Sequence, residues 1–278
     1  MVNLKWMFEG ETLDFNTNSS FKIKSVDGLD QPTAEFATSS SPYRYGSKVQ
    51  RAAIQPRTIV INLIINKNAE AVREELNKLF RSGEEGTLFL KNSTKEGKIN
   101  CHFQEIVTTR DTIPVTAQIF LFAEYPYFEG IEEIIQEMTN VSKAFSFKLA
   151  IPMSGMSFGR VHTVDETVIT NNSDIETGSN IEIVMLGAVS NPVIHNLTTN
   201  EYIGITGTFE TSDKIVINTH SGRKSVYLND TTNLISKLSS GSKWIQLKRG
   251  NNTIKTTATT GTENMKISFV FSEKYGVM

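Results

Sequence analysis

The sequence predicts a mainly β protein with one main helix, built as a β-rich N-terminal domain that carries the helix and a C-terminal antiparallel β-sandwich of jelly-roll type. Three observations lead there. The run 57–65, Arg-Thr-Ile-Val-Ile-Asn-Leu-Ile-Ile, is β-branched and places Ile59, Ile61, Leu63 and Ile65 on one face at the period of a strand. Sustained helical spacing occurs once, across 68–81, where Ala69, Val72, Leu76, Leu79 and Phe80 share a side. After residue 140, short strand-length runs follow one another between Asn, Ser and Gly turns, with no second long helical pattern.

Taken in order, the chain opens with short strands at 4–8 and 21–26, separated by the polar turn 16–20, and turns again at Val26-Asp-Gly-Leu29. The stretch 31–56 has few aliphatic residues and reads as an exposed hairpin or as a long loop of the kind that serves binding or assembly. Tyr43, Arg44, Tyr45, Lys48, Arg51 and Arg57 are its candidate contacts with a partner. In the helix, Asn68 can cap free N–H groups, while Glu70, Glu74 and Glu75 suit the positive end of the dipole. Lys78 and Arg81 suit the negative end, and Gly83 stops the helix. Its apolar side needs a sheet, supplied by strands at 87–90, 97–106 and 115–122. From Asp111 to Ser142 there are acidic residues and no Lys or Arg, so Glu129, Glu132 and Glu133 offer a field to a basic partner or simply face solvent on a connecting segment. The domains are accordingly 1–139 and 140–278. The second holds strand-length runs at 145–151, 166–170, 180–186, 192–197, 202–206, 214–218, 224–229, 244–248, 252–257 and 265–271, with a helical turn expected at 232–238.

Composition narrows the classes. A chain of 278 residues exceeds most single small cores, which supports two domains. A formal net charge of −2, with 38% hydrophobic and 21% charged residues, is not that of a nucleic-acid binder, and no sequence-specific nucleic acid is expected. Cys101 is the single cysteine, so neither an intrachain disulfide nor a cysteine-based zinc site can form. It alternates with Ile99 and Phe103 as a small buried residue. The first residues lack the pattern of a signal peptide, and no run reaches the roughly 18 apolar residues of a membrane span, so folding in a reducing cytosol without membrane insertion is expected.

Catalytic chemistry finds little support. Gly155-Met-Ser-Phe-Gly159 matches a nucleophile elbow, but that motif needs a helix after the serine, and the following Arg160-Val-His-Thr-Val alternates like a strand. His102, His162, His195 and His220 are scattered without metal-ligand spacing, and Gly204-Ile-Thr-Gly207 lacks the rest of a dinucleotide fingerprint. No enzyme activity and no cofactor are expected. For binding, Tyr202, Tyr227 and Trp244 could form a sugar-stacking platform if they share one exposed face, whereas Trp244 within 244–248 equally suits a core position.

The order of these pieces resembles a known family. In the first half they are 21–28, Arg57-Thr-Ile-Val-Ile, Val72-Arg-Glu-Glu-Leu76 leading to Leu79-Phe80, Gly86-Thr-Leu-Phe-Leu and Gly97-Lys-Ile-Asn-Cys101. In the second they are Asn191-Pro-Val-Ile, Gly207-Thr-Phe-Glu, Lys214-Ile-Val-Ile-Asn-Thr219, Trp244-Ile-Gln-Leu-Lys-Arg-Gly-Asn-Asn252 and Lys266-Ile-Ser-Phe-Val-Phe. Together they resemble the distal tail proteins of siphovirus-type phages, the baseplate hub at the tip of a long non-contractile tail. The resemblance implies a non-enzymatic virion protein, made in the host bacterial cytoplasm, whose N-terminal domain forms a homohexameric ring and whose galectin-like C-terminal sandwich points outward. It implies docking to the major tail tube protein, to a tail-associated hub or lysin protein, and to a receptor-binding protein or its adaptor. Defective prophages carry the same pattern. Pairing of the basic 44–57 stretch with the acidic 111–142 stretch across a ring edge is our own expectation. The alternative function is a carbohydrate-binding module for host cell-wall polysaccharide.

Overall fold

The computed structural model describes residues 2–43, 45–66, 69–109, 114–142, 160–163 and 166–278, with side chains omitted for 139–142 and 160–163. The chain forms two compact units, Met1–Ile131 with Lys274–Met278, and Glu132–Glu273. The first therefore takes residues from both ends of the sequence.

Strands β1 (Asn3–Phe8), β2 (Glu11–Asp14) and β3 (Phe21–Asp27) open the first unit. The hairpin of β4 (Ala34–Ser40) and β5 (Ser47–Ile54) follows, then β6 (Arg57–Ile65), helix α1 (Ala69–Leu79), β7 (Glu85–Lys91), β8 (Glu96–Thr108) and β9 (Thr116–Ala123). Antiparallel pairs run in the order β2, β1, β7, β8, β9, β6, β3. As its alternation predicts, β6 buries Ile59, Ile61, Leu63 and Ile65, with Ile59 opposite Leu121 and Ile61 opposite Ile119. A bulge between Phe103 and Glu105 bends β8, which pairs with β7 along its first half and with β9 along its second.

The helix buries Val72, Leu76 and Leu79 against this sheet's core. Its expected cap, Asn68, lies outside the described residues. The other end is held from afar: the Trp6 indole Nε1 donates to the Leu79 carbonyl at 3.0 Å, and its ring stacks on Phe80 with centroids 5.1 Å apart. That bond satisfies one of the carbonyls a helix leaves free at its last turn. Gly86 makes room for the indole, since a Cβ there would clash with the Trp6 ring. Gly83, at φ 86°, then turns the chain so that its N–H reaches the Phe103 carbonyl. Cys101 is fully buried as expected, and burial pushes its thiol up to about 12.

The stretch 129–141, expected as a connection, is strand instead: β10 (Phe128–Glu137) and then β11 (Thr139–Ser142). The second unit continues through β12 (Arg160–Thr163), β13 (Glu166–Asn171), β14 (Asn180–Met185), β15 (Val189–Ser190), β16 (Val193–Asn196) and β17 (Glu201–Gly204). Then come β18 (Thr208–Phe209), β19 (Lys214–Asn218), β20 (Ser225–Leu228), β21 (Thr232–Asn233), β22 (Gly250–Thr257) and β23 (Met265–Tyr275). The expected run 145–151 and the Gly155 to Gly159 motif lie outside the described residues. One sheet runs β23, β14, β19, β20, β21 and the other β13, β22, β16, β17. Their inward residues, among them Ile183, Ile217, Ile267 and Phe269 from one and Ile169, Ile194, Ile203 and Ile254 from the other, form a single core. This is the predicted two-sheet sandwich.

The helical turn expected at 232–238 is present as a short 3-10 turn at Ile235–Lys237, preceded by β21. One local expectation needs correction. Residues 244–248 form no strand: Ile245 and Leu247 are buried, but the backbone makes only an isolated bridge between Leu247 and Thr177. Three buried asparagines hold this segment in place of a neighbouring strand. Asn252 donates through Nδ2 to the Lys248 carbonyl at 2.7 Å and accepts the Lys248 N–H at 2.9 Å. Asn171 donates to the Leu247 carbonyl at 2.8 Å, and Asn196 to that of Gln246 at 3.2 Å. Side-chain amides thus supply the bonds that buried backbone requires.

Trp6→Phe keeps the ring but leaves the buried Leu79 carbonyl unpaired, and is expected to cost about 1–3 kcal/mol in urea unfolding of the full chain.

Candidate functional site

The hairpin of β4 and β5 is the first unit's exposed element. The two strands pair only with each other, from Ala34 opposite Ile54 to Ser40 opposite Ser47, with a bulge after Ala37. Directly opposed residues share a face, so Ala34, Phe36, Ala52 and Ile54 line one side and Glu35, Ala37, Arg51 and Ala53 the other. Phe36 is 57% exposed, Val49 52% and Ile54 48%, and Tyr43 and Tyr45 near the turn are fully exposed. Lys48 and Arg51 also face solvent. Arg44 lies outside the described residues. A lone two-stranded ribbon gains little stability in water, so one that displays an apolar face is suited to be covered by another protein surface. Of the two readings left open for 31–56, the hairpin is correct. Phe36, Val49 and Ile54 were missed because each stands alone among small and polar residues; only the cross-strand register gathers Phe36 and Ile54.

Arg57 does not belong to that surface. It is 5% exposed, its Nη1 donates to the Gly28 carbonyl and its Nη2 to the Gly276 carbonyl, both at 2.8 Å, and its guanidinium lies 4.5 Å from the centre of the Phe128 ring. Burial pulls its pKa below the ordinary arginine value, while the thiol of Cys101, Tyr127 and Asp30 act in the opposite direction. No pattern in the sequence signals this. A basic residue at the start of a strand reads as exposed, and both acceptors are backbone groups, one of them 219 positions away.

The acidic candidates lie on β10, where Glu129 is half-buried and Glu132 and Glu133 are exposed. Ile131, at 40% exposure, and Ile135, at 63%, stand beside them, so this strand shows solvent an apolar as well as an acidic character.

The second unit's aromatic candidates do not come together. Tyr202 lies on β17 and Tyr227 on β20, strands of different sheets, each next to an inward residue, Ile203 and Val226. Strand alternation therefore turns the two tyrosines to opposite outer faces of the sandwich. Trp244 is half-buried against the core, with the Lys224 ammonium 6.0 Å from its ring centre. Tyr202 ends a cross-strand row, Glu166, Lys255, His195 and Tyr202, in which Lys255 meets Glu166 at 3.0 Å and the Tyr202 hydroxyl donates to the Ser240 carbonyl at 2.6 Å. Among the described residues there is no group of His, Cys, Asp and Glu that could hold a metal ion, and Ser157 lies outside them.

Two family models match the chain. One, described as a phage tail protein RIFT-related domain, matches residues 8–121. The other, described as a siphovirus-type tail component, C-terminal domain, matches residues 172–275. The chain belongs to the siphovirus-type tail components. The distal tail resemblance in the sequence is thereby borne out; the first matched segment falls in the first compact unit, and the second falls in the second unit except for its last two residues, 274 and 275. Among solved structures, the Dit protein of phage SPP1, described as a paradigm of the hub adsorption apparatus in phages infecting Gram-positive bacteria, superposes with a TM-score of 0.71 at 15% identity, covering 98% of each chain. A chain of the phage p2 baseplate in its activated conformation with Sr gives a TM-score of 0.51 at 12% identity over 100% of each chain. At these identities the likeness is one of fold. A search of curated proteins finds no significant match.

Two outcomes follow for this tail component. Arg57→Met removes both guanidinium bonds, to the Gly28 and Gly276 carbonyls, with an expected loss of about 3 kcal/mol in denaturant unfolding. Burial, with the Lys255 charge adding to it, depresses the His195 pKa below 6.5. The unfolded chain then binds more protons just below pH 6.5, so stability is fully present above that pH and falls as the solution is acidified toward the folded-state value. Thermal melts of the wild type and His195→Gln between pH 7 and 5 should show the smaller loss in the variant.

Proposed function

We propose that this tail component is a non-enzymatic hub protein of the phage tail tip, whose first unit closes into a six-membered ring through the β4–β5 hairpin. The observation that carries the reading is the uncovered apolar face of that hairpin in a chain that bears both tail-component domains. A surface that pairs with a different surface on the next copy closes into a ring when the rotation between copies closes. The hairpin's Phe36, Val49 and Ile54, with Tyr43 and Tyr45 at its tip, are the apolar contacts in this scheme.

Charge complements them. Arg51 and Lys48 on the hairpin oppose Glu129, Glu132 and Glu133 of β10 on the neighbouring copy. Arg57 drops out of this set because its guanidinium is taken up internally. The ring continues the tail tube by stacking on the major tail tube protein, and its other side receives the tail-associated hub or lysin protein. The second unit carries a receptor-binding protein or its adaptor. The site of action is the tip of the virion tail, after synthesis in the bacterial cytoplasm. The carbohydrate-module alternative gains nothing from the geometry, since its three aromatic residues share no face.

Light scattering of the full-length protein should give a mass near six times the 31.0 kDa chain at high protein concentration. Phe36→Asp with Ile54→Asp, whose side chains are well exposed and stand outside the first unit's core, should return it to single chains with little change in melting temperature. Wild-type protein that stays monomeric at every concentration, alone and with purified tail tubes, would sink the ring. In the same assay Arg51→Glu should weaken assembly, and Glu132→Lys with Glu133→Lys should restore it.

A further inference from the structure

The residues 274–278 do not belong to the unit that precedes them in the chain. They fold into the first unit, where four of the five make chemically distinct contacts. The Lys274 ammonium, 5% exposed, donates to the Tyr125 hydroxyl at 2.9 Å and lies 4.7 Å from the centre of that ring. Tyr275 packs on the first core and receives the Lys95 ammonium 4.4 Å from its ring centre. Gly276 offers its carbonyl to Arg57, and a Cβ at this position would run into the Gln31 side chain. The Met278 N–H donates to the Leu29 carbonyl at 3.2 Å, and its thioether packs where Gly97 leaves space.

Arg57 makes this more than surface adhesion. In the intact chain its guanidinium is buried with Gly276 as one of its two side-chain acceptors, and a cation in an apolar setting that loses an acceptor is costly. We propose that 274–278 is a latch: the first unit reaches its folded stability only when this segment, which is synthesised after the whole second unit, has docked beside Arg57. A chain interrupted anywhere in the second unit would then carry a first unit with its arginine site open. On the ring reading above, such a chain would be a poor ring subunit, so the latch would keep incomplete chains out of assembly.

Hydrogen exchange tests the latch without reference to the ring. In the intact protein, the amide of Met278 should be protected to within about tenfold of the β6 amides that open with the same unit. In a chain ended after Glu273, the amides of β6 and of 97–101 should exchange at least tenfold faster, while those of β14 and β19 keep their rates. Arg57→Met in the full chain should reproduce this pattern. Free exchange of Met278 in the intact protein would overturn the proposal. So would unchanged β6 protection in the shortened chain, or an equal loss in both units. Light scattering of the same shortened chain reads the assembly consequence separately, so that failure of the ring leaves the latch standing.

Discussion

The buried guanidinium of Arg57 joins parts of the first unit that the sequence keeps far apart. Its two bonds reach the turn after β3 and the segment after β23, and its flat face rests on the first residue of β10. A cation in an apolar setting is tolerated only where acceptors meet it in fixed positions, so each partner segment has little freedom to move. Gly28 shows how tight the fit is: it adopts φ 86°, and a Cβ there would strike the Thr58 carbonyl. The turn, the strand and the returning segment are therefore specified together. The same cluster removes Arg57 from the exposed candidate contact residues.

The two units solve the problem of irregular backbone differently. In the first, a long aromatic side chain reaches across: Trp6 closes the last turn of α1 and stacks on the residue beyond it. In the second, short amides do the work, since Asn171, Asn196 and Asn252 replace the neighbour that residues 244–248 lack. Each device satisfies buried backbone groups without a ladder, and each leaves the sheet edges nearby free to follow their own register. Against these well-tied regions the β4–β5 hairpin stands apart, because neither of its faces is covered by its own unit. The contrast is between a body whose irregular backbone is tied by side chains and a ribbon that exposes phenylalanine and isoleucine.

Much of this architecture was legible in advance. The strand at 57–65, the helix that buries Val72, Leu76 and Leu79, the role of Cys101 and the sandwich class all follow from periodicity, because side chains on a regular element must repeat at its period. The order of such elements was also enough to suggest the family. What periodicity describes is a face. It does not say what that face meets, and this is why Ile245 and Leu247 correctly foretold burial while the strand foretold with them did not form.

The sequence by itself thus determined which residues turn inward, and so the two-part β architecture and its one helix. Only the tertiary structure decided the destinations: that Arg57 points into the protein, that Tyr202 and Tyr227 face opposite ways, that Phe36 and Ile54 share an uncovered side, and that 274–278 completes the first unit. The physical reason is the same in each case. These outcomes depend on contacts between positions distant in the chain, many of them to backbone carbonyls, which are alike at every residue and leave no mark in the order of the side chains.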